Sequence, residues 1–152
     1  MTTPETQLRR LQDREELRAL IGRYAIAIDT RDYATVAQCF TRDGAFDRIG
    51  APLTSGRDAV VALFRELHST AGPSLHANHD SVVTWSDDPD SASGIVVCHA
   101  ETSDAQGMKI AAIRYHDRYA REDDQWRFAA RQLEMVYQVP VSEYAGALRR
   151  AE

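Results

Sequence analysis

Two cysteines in 152 residues are too few for a disulfide framework. The chain has no Cys-x-x-Cys, no glycine-rich phosphate loop and no Gly-x-Ser-x-Gly elbow. Thioredoxin-like, nucleotide-dependent and serine-hydrolase chemistries therefore lack their signatures. No apolar run approaches the roughly 20 residues that cross a bilayer. The first residues, Met1-Thr2-Thr3-Pro4-Glu5, carry neither the basic nor the apolar segment of a signal peptide. Positive charge is in deficit too: 18 Lys and Arg stand against 23 Asp and Glu, a formal net charge of −5. The basic residues are scattered, whereas a nucleic-acid binder gathers them on one face. The expectation is a small soluble cytoplasmic protein of one domain, residues 1–152, with neither nucleic acid nor membrane as partner. A chain of this length buries about 70% of its unfolded surface, enough for a core and one pocket.

The first segment has the marks of a long helix. Thr3 caps it, and Pro4 suits the first helical position, where its missing N–H has no partner to lose. Leu8, Leu11, Leu17, Leu20, Ile21, Tyr24 and Ile28 recur at helical spacing, and the helix ends near Asp29 or Thr30. A short helix follows over Tyr33 to Phe40. Asp43-Gly44 is a turn signal ahead of a short strand, Ala45 to Arg48, and Gly50 to Gly56 is a loop. A third helix runs from about Arg57 to His68 on a stripe of Val60, Val61, Leu63, Phe64 and Leu67. Four strands then follow: Ser74 to Trp85, Gly94 to Thr102, Met108 to Arg121 and Gln125 to Val139. Helices first and an antiparallel meander after is an α+β pattern. On the third strand Ala111, Ile113, Tyr115, Asp117 and Tyr119 share one face. On the fourth, apolar parity changes from Trp126, Phe128 and Ala130 to Leu133, Met135 and Tyr137. Such a change marks a β-bulge, which bends a sheet. A curved sheet around a long helix encloses a cone-shaped, mostly apolar cavity of the kind ligands occupy.

Few residues in this pattern carry chemistry. Asp29 closes the apolar part of the first helix, where a carboxylate is poorly placed against the helix dipole. It either meets solvent or points into the cavity. On a strand, His76, Asn78 and Asp80 face one way and His79 the other. Opposite faces and the lack of a third ligand argue against zinc, so no metal and no cofactor is expected. One of the two histidines suits a general base. His99 shares a face with Ile95, Val97 and Glu101 and is a second acid–base candidate or a pair for Glu101. Tyr24 and Tyr115 are apolar in spacing and polar at the tip, so each is core or site. Arg131, beside the parity change, holds either an anionic substrate or an acid. Cys39 and Cys98 lie in apolar surroundings as inert thiols.

The order of these features resembles the SnoaL-like branch of the nuclear transport factor two-like superfamily. The segments that carry it are REELRALIGRYAIAIDTRDYATVAQCFTRDGAF, SGRDAVVALF, SLHANHDSVV and RYHDRYAREDDQWRFAARQLEMVY, and the resemblance covers about residues 8 to 139. It implies a cone of three helices against a strongly curved antiparallel or mixed sheet, with 140–152 as a tail or short helix over the pocket mouth or a neighbour. Within the branch the chain looks most like the dehydratase group: scytalone dehydratase, bile-acid 7α-dehydratase and hexachlorocyclohexane dehydrochlorinase. That group pairs an Asp at the end of the first helix with a His on the first long strand. Asp29 falls on the Asp, His76 is the match for the His with His79 as the alternative, and Tyr24 falls on the tyrosine of the bile-acid enzyme. The sequence departs from scytalone dehydratase at Ile28, where that enzyme has tyrosine, and near Thr102, where it has histidine. The resemblance implies a cofactor-independent lyase; the aromatic and aliphatic lining suits a small, mostly apolar ring compound, and His79, His99, Tyr115 and Arg131 are the substrate-binding candidates. An isomerase or polyketide cyclase with the same base, and a non-catalytic ligand-binding or subunit-like module, are the alternatives. It also implies a homo-oligomer, dimer or trimer.

Overall fold

Residues 3–144 are described by the computed structural model. Helix α1 (Pro4–Thr30) begins as its sequence predicts: the Thr3 hydroxyl accepts the Thr6 N–H and Pro4 occupies the first turn. It ends on Arg31, a left-handed residue (φ 57°), and the Asp32 N–H closes the helix on the Ala27 carbonyl at 2.9 Å. Arg is an uncommon occupant of that conformation. Its side chain finds a use there, donating to the Ala71 and Gly72 carbonyls at 2.6 and 3.2 Å. The predicted apolar stripe starts too early. Leu8 and Leu11 are 58% and 63% exposed, because Arg9, Arg10 and Asp13 face the sheet at this end. Arg9 reaches Asp90, the Arg10 guanidinium lies 4.4 Å from the Trp85 ring, and buried Asp13 accepts Trp126 Nε1 and Arg121.

Helix α2 (Tyr33–Cys39) is capped by Asp32, which accepts both the N–H and hydroxyl of Thr35. Strand β1 (Phe40–Arg48) absorbs the Asp43-Gly44 segment expected as a turn. The ladder shifts register between Phe40 and Ala45 there, and a Cβ on Gly44 would lie 2.8 Å from the Thr41 carbonyl oxygen and 2.9 Å from Phe40 Cβ. The bulge thus needs glycine. Two-residue β2 (Thr54–Ser55) lies within the predicted loop, and α3 (Arg57–His68) has the predicted bounds.

The remaining strands are β3 (Leu75–Trp85), β4 (Ser91–Asp104), β5 (Gly107–Glu122) and β6 (Gln125–Pro140). They join β1 and β2 in one six-stranded sheet of order β2-β1-β6-β5-β4-β3. The β1–β6 pair is parallel and the others antiparallel, so the sheet is mixed. Against β5, strand β6 slips register twice, passing over Ala129 and Val136. The first slip produces the parity change read from sequence and turns Arg131 to the inner face. The second turns Tyr137 outward, away from the face predicted for it. The tight β5–β6 turn holds Asp123 and Asp124 at φ 52° and 59°, a geometry acidic side chains tolerate. On the inner face, Tyr24 stands edge-on to Phe40, Phe64, Tyr115 and Phe128 with ring centroids 5.5–6.3 Å apart. Val141 to Tyr144 are helical, and the rest of the expected C-terminal helix lies outside the described residues.

Candidate active site

The end of α1 and the start of β3 meet at one carboxylate. Arg31 ties the Ala71–Gly72 backbone to the helix end, and β3 follows with Ser74 and His76 at the same parity. Both turn towards Asp29. Ser74 Oγ donates to Asp29 Oδ1 at 2.8 Å, the His76 backbone N–H donates to Oδ2 at 2.7 Å, and His76 Nδ1 lies 2.7 Å from Oδ1. Burial by itself would raise the Asp29 carboxyl. The bonds from the His76 ring, the His76 backbone and Ser74 outweigh it and hold the group below its ordinary value. A hydrogen bond to a charged group contributes about 1.5–3 kcal/mol, more than a helix C-terminal dipole opposes. Asp29 is therefore ionised and accepts the Nδ1 proton, which leaves Nε2 as the basic nitrogen of the ring.

His76 lines a cavity of about 600 Å³ between the helices and the inner face of the sheet. This is a common size for a small-molecule site. Its walls are mostly apolar, with Ile28, Phe46, Phe64, Leu67, Leu133 and Met135 among them. Tyr24 and Tyr115 reach it from α1 and β5. Burial drives both phenols well above their ordinary value despite the nearby Arg131 cation, so each remains a protonated donor. Thr102 and Ile28 also line the cavity, so the two departures from scytalone dehydratase fall within the site.

Three other candidates are placed elsewhere. The inward parity of β4 belongs to Val96, Cys98 and Ala100, so His99 stands on the outer face of the sheet. There its Nε2 lies 3.2 Å from the Tyr137 hydroxyl. His79 falls at a register slip of β3, and its ring packs edge-on against His99 at 5.4 Å. Neither lines the cavity. Parity showed which residues share a face, but not which face is inside. Arg131 is 0% exposed and does not line the cavity: Nε and Nη2 donate to the two oxygens of Asp117 at 2.8 and 2.7 Å. Tyr119 adds a third bond to that carboxylate, and the guanidinium lies against Tyr24, Tyr115 and Phe128. Of the two sequence readings, Arg131 holds an acid. Burial also pushes the Cys39 and Cys98 thiols up to about 11, in line with unreactive packing.

The sequence reading passed over Ser74 and His68. Ser74 shares the parity of His76, and His68 follows Phe64 by one helical turn. Both spacings were readable, and His68 lines the cavity. Among the described residues no three His, Cys, Asp or Glu side chains gather as metal ligands, and no helix is long and apolar enough to cross a membrane.

Residues 9–132 match the SnoaL-like domain family. No curated protein matches the chain in sequence. Several solved structures share the fold. Hexachlorocyclohexane dehydrochlorinase LinA-type3 from Novosphingobium barchaimii LL02 superposes with a TM-score of 0.82 at 20% identity, over 90% of this chain and 94% of that one. A proposed scytalone dehydratase from Novosphingobium aromaticivorans DSM 12444 gives 0.80 at 18% identity, over 88% and 90%. Rv3472 from Mycobacterium tuberculosis, a protein of unknown function, gives 0.76 at 29% identity, over 93% and 79%.

Proposed function

The chain belongs to the SnoaL-like domain family, and on that footing we propose that it is a cofactor-independent lyase, a dehydratase of small, mostly apolar ring compounds. The observation that carries this reading is the 2.7 Å contact between Asp29 and His76 Nδ1, on a ring that lines an apolar cavity. His76 Nε2 takes a proton from the carbon α to a carbonyl. The electron pair forms the C=C bond as the adjacent C–O bond breaks. The imidazolium then returns its proton to the departing hydroxide as water, which regenerates the base. Asp29 stabilises the imidazolium and holds the tautomer, as a carboxylate does in other His-based sites. In this reading Tyr24 and Tyr115, which line the cavity, donate to the oxygen on which charge develops. Positioned general acid–base catalysis contributes about 10²–10⁴-fold, enough for an activated C–H bond.

Benzisoxazole, a flat ring compound that opens when a base removes its one activated proton, probes the base without knowledge of the natural substrate. The expected result is turnover by the wild type that His76→Ala abolishes in a folded protein. Equal turnover by the two would sink the reading. With cyclic β-hydroxy ketones, loss of one water by mass marks a dehydratase, and unchanged mass with a new product marks an isomerase. We further propose self-association through the outer face of the sheet, where Val82, Ile95 and Val97 are exposed.

A further inference from the structure

A second imidazole reaches the same cavity from α3. His68 is the last residue of that helix, one turn beyond Phe64, and its ring stacks on Phe64 with centroids 6.3 Å apart and planes 29° apart. His68 Nδ1 lies 3.0 Å from the Tyr33 hydroxyl. Tyr33 opens α2, which Asp32 caps, and the Arg65 guanidinium covers its ring at 4.2 Å. Either tautomer of the ring can make this bond; in the one where the hydroxyl donates to Nδ1, the ring proton lies on Nε2, which has no protein partner among the described residues.

With Tyr33 as the donor, the two imidazoles of the cavity are prepared in opposite senses. A carboxylate on Nδ1 of His76 draws the proton to that side and leaves Nε2 bare, as a base requires. A phenol on Nδ1 of His68 does the reverse and leaves Nε2–H, as a hydrogen-bond donor requires. The surroundings of His68 disfavour its charged form. Burial, Arg31 and His76 pull it below its ordinary value, and Asp29 opposes them with smaller effect. A neutral imidazole donor suits an oxygen that starts as a carbonyl and gains charge only in the transition state, because it does not bind the starting state as an ion would.

We propose that His68 is a second catalytic residue of this cavity, donating Nε2–H to the substrate oxygen that becomes an enolate while His76 takes the proton, with Tyr33 as the positioning residue that sets its tautomer. The assignment of that oxygen rests on the elimination reading above; the tautomer does not. It makes the substrate a ring compound with a carbonyl directed towards α3.

Nitrogen-15 NMR of the histidine rings at neutral pH reads the tautomer without a ligand. The expected pattern is a bare Nδ1 and protonated Nε2 for His68; a proton on Nδ1 overturns the proposal. The para-nitrophenolate anion, a stand-in for an enolate, reads the donor. Its bound fraction is measured by absorbance and compared with that of the neutral phenol. His68→Ala is expected to weaken phenolate binding about 10–100-fold, the usual worth of one hydrogen bond to a charge. His68→Gln, which keeps an N–H at similar reach, recovers part of that. Tyr33→Phe keeps the packing and lets the Nδ1–H tautomer appear in the NMR. Equal phenolate affinity in the wild type and His68→Ala overturns the proposal, as does a wild type that does not favour phenolate over phenol. If benzisoxazole turnover survives His76→Ala while the His68 results hold, the base reading has failed and this one has not.

Discussion

Asp29→Asn tests the centre of the site with the smallest change of shape. Both carboxylate oxygens are acceptors: Oδ1 takes Ser74 and the His76 ring, and Oδ2 takes the His76 backbone N–H. An amide has only one acceptor. If its oxygen faces the ring, its NH₂ confronts the backbone N–H, two donors 2.7 Å apart. The amide therefore turns the other way, with oxygen on the backbone N–H and NH₂ towards His76 Nδ1. Nδ1 must then accept, and the ring proton moves to Nε2, the nitrogen proposed as the base. The same logic in serine proteases, where a triad Asp→Asn change produces the wrong tautomer, lowers kcat by about 10⁴-fold. A loss of about 10³–10⁴-fold in benzisoxazole turnover is expected here. Loss of charge from a carboxylate bonded by three donors also costs about 1–3 kcal/mol of stability, read by urea denaturation. Nitrogen-15 NMR decides the cause: Nε2 of His76 is bare in the wild type and protonated in the variant. A variant with a bare Nε2, or with undiminished turnover, would refute the tautomer argument.

Acid should bring the same two proteins together in stability. The Asp29 carboxyl is held below its ordinary value in the fold, so the unfolded chain takes up its proton first as pH falls. The stabilisation is complete above about pH 4 and disappears as pH drops through the lower folded value, so the gap between wild type and Asp29→Asn in urea midpoint should close in acid. A constant gap would refute the linkage. His68 is also held low, so its contribution rises with pH up to about 6.5, and His68→Gln should flatten that rise. Arg131→Met leaves the buried Asp117 carboxylate with Tyr119 but no cation and is expected to cost about 3–5 kcal/mol. Adding Asp117→Leu to it should restore much of the loss, and a double variant as unstable as the single one would show that the charge pair is not the cause. Replacing exposed Val82 with Glu should lower the mass found by light scattering if the outer sheet face joins copies; an unchanged assembly removes that face from consideration.

Much of this molecule is local. Thr3 and Pro4 start α1, Gly56 precedes α3, and alternation along β5 separates a buried face from a solvated one; each is a short-range steric or hydrogen-bonding preference that needs no distant partner. The α+β order and the bend in β6 were legible for the same reason, because parity records burial residue by residue. Asp29 stood out in sequence as an acid at the wrong end of a helix dipole. Its meaning, however, depends on Ser74 and His76, 45 and 47 positions away. Only the closed structure brings those side chains within 3 Å, through Arg31 and its grip on the Ala71–Gly72 backbone. The same limit explains His79 and His99. Periodicity of two tells which residues travel together, and the side on which the helices pack decides which set sees the cavity. Arg131 was settled by tertiary contacts alone, since a guanidinium takes its role from what it touches, here the buried Asp117 carboxylate, and the contact of His68 with the Tyr33 phenol was likewise invisible in the sequence.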